Sequence, residues 1–291
     1  MEDLFNLTEK QYRAERKAWK LRRKIENTTL GLGIKTDHDE TGHYYLFNGK
    51  RLPSVTAKLQ ILKDPSLANW KMNRALEYIK QNIGRLALKV AIKEDYESIF
   101  DEAKLAPQLE FEGAGDIGKA VHNWRENWFR DIIENGIDPE LIPAPPNYPA
   151  TPEPSVMSGC RAVNRFVKDT GYIPLACELF LADEKLNIGG TGDDIGLLDG
   201  KVAFIDLKTS NIADKDSYFY QVALYVCMFE RLYHIRTQVH KILHVSKTDG
   251  TYKLLDIPDI RRRIREAKQI IKVDAFLAEL REAKKKVPIV I

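Results

Sequence analysis

The chain has few cysteines and no long apolar run. Its three cysteines, Cys160, Cys177 and Cys227, are far apart in a sequence of 291 residues. Without a Cys-x-x-Cys pair, a zinc ribbon or an iron–sulfur cluster held by this chain alone is not expected. An odd, scattered cysteine count is typical of a reducing compartment. Since no apolar run approaches the ~18 residues of a membrane span, we expect a cytoplasmic protein.

Net charge is also low, because 45 Lys and Arg residues face 42 Asp and Glu residues. Overall basicity therefore gives no argument for a nucleic-acid partner, although local clusters still can. Residues 1–27 and 259–286 are basic stretches with helical patterning. Each is interpreted first as a solvated amphipathic helix, and the alternative is that one or both line a path for a polyanion.

Hydrophobic periodicity predicts two regions. Residues 1–112 are expected to be mostly helical, with helices at 55–62, 66–84 and 86–104 and a hairpin whose Asn48-Gly49 forms a type I′ turn. Residues 113–291 are expected to hold a mixed α/β (α+β) core in α-β-β-β-α-β order. Its predicted elements are helices at 118–134, 155–170 and 214–232, a proline-rich loop at 135–155, strands at 175–181, 188–198, 201–207, 241–245 and 252–255, and a closing basic helix.

The central hairpin brings carboxylates together. If Asp199-Gly200 is a two-residue turn, Asp193 faces Asp206 and Lys208 lies on the same face. Directly opposed like charges are destabilising in a sheet. Either Lys208 or a divalent cation would relieve the repulsion, since hard cations bind carboxylate oxygens. Asp194 is expected on the opposite face, unless a bulge exchanges it with Asp193.

The same hairpin carries a motif pattern. Gly190-Thr191-Gly192-Asp193 followed by Ile205–Ser210 resembles the GxxD…(D/E)xK core of the PD-(D/E)xK nucleases, most closely the RecB-like exonuclease branch. Gly118-x-x-x-His122 is similar to the Gly-x-x-x-His motif of that branch, and Gln221-x-x-x-Tyr225 is similar to its QxxxY motif. Glu178 is on the first core strand, where relatives often have a Glu. The resemblance covers about residues 113–246.

A second resemblance is shorter. Residues 52–56 with residues 67–70 are similar to a segment of phage-type and mitochondrial-genome-maintenance-type exonucleases of the same branch. Together the two resemblances imply a restriction-endonuclease-like core and hydrolysis of phosphodiester bonds in DNA.

The resemblance also implies roles for individual residues. Asp193, Asp206 and the Leu207 backbone carbonyl would hold Mg²⁺ or Mn²⁺, and His122 would complete the metal shell. Lys208 would orient or help deprotonate the attacking water. Four further residues are expected to support the site or to contact DNA: Glu178, Thr209, Gln221 and Tyr225.

The expected function is therefore a metal-dependent DNA exonuclease acting on single strands or ends, in recombination, repair or phage DNA processing. Expected partners are DNA and a recombinase, helicase or single-strand-binding protein, in a bacterial or phage-infected cell. One alternative is a structure-selective or nicking endonuclease on the same fold. Another is a DNA-binding accessory subunit without activity.

Two remaining features have competing interpretations. Trp70, Trp124 and Trp128 are hypothesised to line a single-strand channel with the amino-terminal helices, or else to anchor the core. Residues 113–118 match Gly-x-Gly-x-x-Gly, but a dinucleotide site needs a preceding strand and a βαβ unit. We therefore interpret Gly118 as the start of the His122 helix.

Overall fold

The computed structural model describes residues 9–39, 42–62, 66–135, 153–210 and 216–285. The described residues of Met1–Ile61 and Val121–Ile291 form one compact unit, and those of Leu62–Ala120 form another. This division differs from the predicted boundary between residues 112 and 113.

The first helix explains much of that difference. Helix α1 (Glu9–Leu32) buries Ala18 and Ile25 in the same hydrophobic cluster as the central sheet. The buried Arg22 donates to the Pro174 carbonyl oxygen at 2.6 Å. The amino-terminal segment is therefore part of the main unit and not of a separate helical region.

A small antiparallel sheet follows α1. Its strands, in the order β1-β2-β3, are β1 (Lys35–Asp39), β2 (Gly42–Phe47) and β3 (Lys50–Pro53). The predicted hairpin is confirmed, because Asn48 and Gly49 have φ angles of 49° and 74°, as a type I′ turn requires. Strand β1 is an addition that the sequence patterns did not predict. Ser54 then caps α2 (Val55–Lys58), which continues into a 3₁₀ turn at Leu59–Leu62.

The second sheet has five strands in the order β4-β5-β6-β7-β8. Strands β6 and β7 are parallel, and the other neighbours are antiparallel. The prediction of a mixed α/β fold is confirmed. The elements are α6 (Pro154–Thr170), β4 (Ile173–Asp183), β5 (Ile188–Leu198), β6 (Lys201–Lys208), α7 (Asp216–Tyr233), β7 (Val239–Val245), β8 (Tyr252–Asp256) and α8 (Ile260–Lys285).

The main core lies between this sheet and α7. Ile195 of β5 and Phe204 of β6 face the buried side of α7, which includes Val222 and Phe229. The Phe204 and Phe229 rings meet edge to face, with centroids 6.2 Å apart. Close packing of this kind holds β5 and β6 in one arrangement, and both strands carry the candidate site.

The three helices before α6 have bounds that differ from those predicted from the sequence. They are α3 (Ser66–Gln81), α4 (Ile83–Ala91) and α5 (Glu97–Asn135). The prediction of one helix at 86–104 is wrong, because Asp95 Oδ1 accepts from the Glu97 and Ser98 amides and starts a new helix there. The predicted helix start at Gly118 is also wrong, because α5 continues through residues 113–118. A glycine inside a helix costs only about 1 kcal/mol relative to alanine.

Two further predictions concern the proline-rich loop and membrane-spanning helices. Most of the proline-rich loop, residues 136–152, lies outside the described residues. Among the helices that the structure describes, none is both long enough and apolar enough to cross a bilayer.

Candidate metal centre

The β5–β6 hairpin has the predicted register. Asp199 and Gly200 have φ angles of 50° and 70°, and Leu198 lies opposite Lys201. The regular pairing continues to Asp194 opposite Ile205. One step further, the Leu207 amide donates to Asp193 Oδ2 at 2.8 Å. The turn therefore places the Asp193 carboxylate against the end of β6.

Asp206 is the most deeply buried acid of the hairpin, with 0% of its surface exposed. Lys208 Nζ lies 2.5 Å from Asp206 Oδ2 as an ion-pair partner. Neither oxygen of Asp206 accepts a well-directed hydrogen bond from any residue within the described ranges. A buried carboxylate is costly unless a positive charge is paired with it, and Lys208 supplies that charge to Asp206.

The charges of the hairpin shift one another's pKa values. Burial and, to a smaller extent, the Asp193 carboxylate together raise the pKa of Asp206 to about 6, against the lowering effect of the Lys208 charge. Burial also disfavours the charged form of Asp193, but His122, Lys208 and Arg125 lower its pKa by more. The pKa of Lys208 is lowered by burial and raised by more by the Asp206 and Asp193 carboxylates.

Helix α5 contributes a histidine to the same place. His122 Nδ1 lies 3.7 Å from Glu178 Oε1 and 3.9 Å from Asp193 Oδ2. One potential ligand atom from each of the three residues falls within 4.8 Å of the other two. Imidazole nitrogen together with carboxylate oxygens suits Mn²⁺ and related divalent ions. The ligand atoms of these three residues therefore fit a divalent cation.

Glu178 reaches the group through an unusual backbone conformation. It has a φ angle of 48° inside β4, in the left-handed region that a side-chain-bearing residue rarely adopts. Regular pairing of β4 with β5 is interrupted at this residue, between the Cys177–Asp194 and Leu179–Gly192 pairs. Such strain costs on the order of 1–3 kcal/mol and persists where neighbouring contacts impose it.

The structure changes the composition of the expected ligand set. His122 and Asp193 converge as predicted, but the third member is Glu178, which was expected only in a supporting role. Asp206 lies outside this converging group because its carboxylate pairs with Lys208. The Leu207 amide donates to Asp193 Oδ2, and the role expected for the Leu207 carbonyl oxygen stays a prediction.

Arg125 was missed by the sequence analysis. It is completely buried on α5, one turn beyond His122, and its guanidinium contacts both Glu178 and Asp194. Burial lowers the pKa of Arg125, but the carboxylates of Asp194, Asp193 and Glu178 raise it by more. The signal available in the sequence was Asp194, expected on the face of the hairpin opposite Asp193, because an acid that proves to be buried there needs a basic partner.

Asp194 does not exchange roles with Asp193. It is almost fully buried, with Oδ2 2.8 Å from Arg125 Nη1. The irregular register of the sheet lies in β4, between Pro174 and Ala176, and β5 keeps its alternation. Asp193 is therefore the acid that β5 presents to the candidate metal centre.

Two of the supporting residues, Gln221 and Tyr225, contact each other on α7. Gln221 Nε2 donates to the Tyr225 hydroxyl at 2.9 Å, as residues one helical turn apart can do. The Tyr225 ring lies so close to Gly190 that a Cβ atom there would overlap it. Tyr45 of β2, which the sequence analysis did not select, shares a 2.9 Å hydrogen bond with Thr191. Thr209 follows β6 directly and is half-buried.

The hypothesis of a tryptophan channel is wrong for two of its three residues. Trp124 and Trp128 are buried, and their rings contact each other with centroids 5.5 Å apart. They are therefore core residues. Trp70 lies in the other compact unit and is half-buried.

Comparison with known proteins gives no assignment. No model of a known protein family matches the chain, and no curated protein matches it. The nuclease resemblance therefore rests on the motif residues and stays a prediction.

Proposed function

We propose that the protein is a metal-dependent deoxyribonuclease of the PD-(D/E)xK type, acting as an exonuclease on single-stranded DNA or DNA ends. One observation carries the proposal: His122, Glu178 and Asp193 converge beside the buried Asp206–Lys208 pair. The succession of α6, three antiparallel strands, α7 and the parallel strand β7 supports a restriction-endonuclease-like core.

The chemistry of the substrate explains the need for these groups. A phosphodiester is a stable anion, and a site made of carboxylates alone would repel it. His122, Glu178 and Asp193 would hold Mg²⁺ or Mn²⁺, with Asp206 beside them. The bound ion would supply positive charge at the scissile phosphate and lower the pKa of a water molecule.

Lys208 takes a separate role. The Asp206 and Asp193 carboxylates favour its ammonium form, so we assign it hydrogen-bond donation to the phosphate and not proton abstraction. Arg125 does not face the substrate in this scheme. It holds Glu178 and Asp194 in position by contacting both carboxylates.

Digestion of end-labelled linear DNA tests the proposal. Wild-type protein with Mn²⁺ should shorten single-stranded DNA, and chelation should stop the reaction. Lys208→Ala should reduce the rate at least about 100-fold, as loss of a transition-state donor does. Lys201→Ala is the matched control, because Lys201 is exposed at the other end of β6, and it should retain full activity.

Two results would change the assignment. Cleavage of circular single-stranded DNA would indicate an endonuclease, because a circle has no end. DNA binding without cleavage in either Mg²⁺ or Mn²⁺ would reject the enzyme and favour an accessory subunit.

A further inference from the structure

The outer face of α1 carries an aromatic and basic stripe. Tyr12, Arg16, Trp19 and Arg23 follow one another at helical spacings of four, three and four residues, so they share one side of the helix. We call these four residues the α1 stripe. All are exposed, and Tyr12 and Trp19 each expose 52% of their surface.

The other basic residues of α1 hold the helix against the main unit. Lys17 donates to the Gly200 carbonyl oxygen at 2.6 Å, Arg22 to Pro174 at 2.6 Å and Lys24 to His234 at 2.9 Å. These contacts fix the rotation of the helix, so the α1 stripe is presented to solvent on a rigid support.

The stripe arginines are not neutralised by acids. No ion pair is found for Arg16 or Arg23 in the part of the chain that the structure describes. The basic helix α8 differs, because its first three arginines pair with acids: Arg261 with Glu230, Arg262 with Glu266 and Arg263 with Asp216. The outward positive charge of Arg16 and Arg23 on α1 is therefore available to an anion.

The pairing of side chains within the stripe favours a particular ligand. The Arg23 guanidinium lies 4.9 Å from the centroid of the Trp19 ring. This cation–π contact uses one face of the indole and keeps the positive charge beside it. Alternating aromatic rings and guanidinium groups match alternating bases and phosphates. Duplex DNA cannot offer its base faces in this way.

We infer that the α1 stripe is a binding site for single-stranded nucleic acid, in which bases stack on Tyr12 and Trp19 and Arg16 and Arg23 pair with phosphates. The inference rests on the proposed function for its choice of nucleic acid as the partner.

The stripe lies apart from the candidate metal centre. Lys17 attaches α1 to Gly200, in the turn of the β5–β6 hairpin. Asp206 is five residues along β6 from Lys201, a distance of about 17 Å at the rise of a strand. The stripe is therefore a second contact for the strand, beyond the residues that face the scissile bond.

Fluorescence anisotropy with a labelled 20-nucleotide oligo(dT) in EDTA measures this binding without cleavage. Trp19→Ala should weaken affinity by about five- to a hundred-fold, the value of one stacked base, and Trp19→Phe should retain most of the affinity. Arg16→Gln with Arg23→Gln should reduce the slope of log affinity against log salt by about 1.4.

The control removes a similar pair elsewhere. The double variant Lys272→Gln with Phe276→Ala removes an exposed basic side chain and a 57% exposed aromatic ring, one turn apart on α8. Its affinity for the oligonucleotide should stay within about two-fold of wild type, as expected for surface positions outside the site. Since all altered side chains are exposed, thermal unfolding should match that of wild type for every variant.

Several outcomes would overturn the inference. They are unchanged affinity and salt slope in the stripe variants, equally tight binding of a 20-base-pair duplex, or displacement of the oligonucleotide by phosphatidylserine vesicles. Stripe-dependent binding by a protein that never cleaves DNA would support the inference and reject the nuclease. Cleavage of DNA by the wild-type protein, together with unaltered binding by the stripe variants, would support the nuclease and reject the α1 stripe as a binding site.

Discussion

Arg125 and Asp194 form a completely buried ion pair, with 2.8 Å between Nη1 and Oδ2, behind the strand that presents Asp193 to the candidate metal centre. The same guanidinium contacts Glu178, whose carboxylate belongs to the converging group. The candidate metal ligands are thus supported by a charged pair, Arg125 and Asp194, that is buried away from solvent. Such partners fix the orientation of ligands and tune their affinity.

Arg125→Met should therefore destabilise the fold. It leaves Asp194 buried without its basic partner, which costs about 3–5 kcal/mol in comparable pairs, and urea denaturation would measure the loss. Arg130→Met is the control, because Arg130 is an exposed arginine of the same helix that pairs with Glu126, and it should cost at most about 1 kcal/mol. Equal losses in the two variants would contradict a structural role for the buried pair.

Mn²⁺ should stabilise the protein through His122. Ligand binding to the folded state alone adds about 2.7 kcal/mol at 100 times the dissociation constant, so the melting temperature should rise with Mn²⁺. His122→Ala should lose most of this rise in melting temperature, whereas His38→Ala, at an exposed histidine, should keep it.

Because imidazole suits Mn²⁺ better than Mg²⁺, Mn²⁺ should support DNA cleavage at least as well as Mg²⁺. Cleavage with Mg²⁺ but none with Mn²⁺ would count against His122 as a ligand.

Asp206 should make the metal-free protein less stable as pH rises. Its pKa is about 6 in the folded protein and about 3.9 in an unfolded chain, so the folded state binds the proton more tightly. The stabilising contribution is present below pH 4 and is lost as pH rises through 6. Relative to Asp206→Asn, wild type should lose about 1–3 kcal/mol between pH 4 and 7.

Chemical denaturation in EDTA at several pH values measures this difference, and saturating Mn²⁺ should reduce it, because a cation bound near Asp206 would favour its charged form. A wild-type protein that gains stability over Asp206→Asn across the same range would show that the burial of Asp206 is not costly.

Gly190→Ala should destabilise the site. The new methyl group overlaps the Tyr225 ring, and overpacking of this kind costs about 1–3 kcal/mol. Gly84→Ala in α4 is the matched control, because its added methyl meets open space and alanine is the better helix former. A Gly190→Ala protein with wild-type thermal stability would mean that Tyr225 can move away freely.

Sequence patterns predict the hairpin well because a two-residue turn determines register. Asp199-Gly200 alone places Ile195 opposite Phe204, as the structure has it. The bounds of α5 were predicted poorly. Glycine and proline in its sequence suggested breaks, but they are weak evidence against a helix that packing stabilises. The convergence of Glu178 with His122 and Asp193 could not be predicted, because it depends on a left-handed backbone conformation that has no signal in a glutamate.

The most direct test of the account is calorimetric titration of the metal-free protein with Mn²⁺, comparing wild type with Asp193→Asn. Asp193 joins the amide of Leu207 to the group formed with His122 and Glu178, so its loss should weaken binding by at least about ten-fold, as loss of a ligand or its support does. Equal Mn²⁺ affinity in the two proteins, or none in wild type, would contradict the metal centre and the nuclease proposed from it.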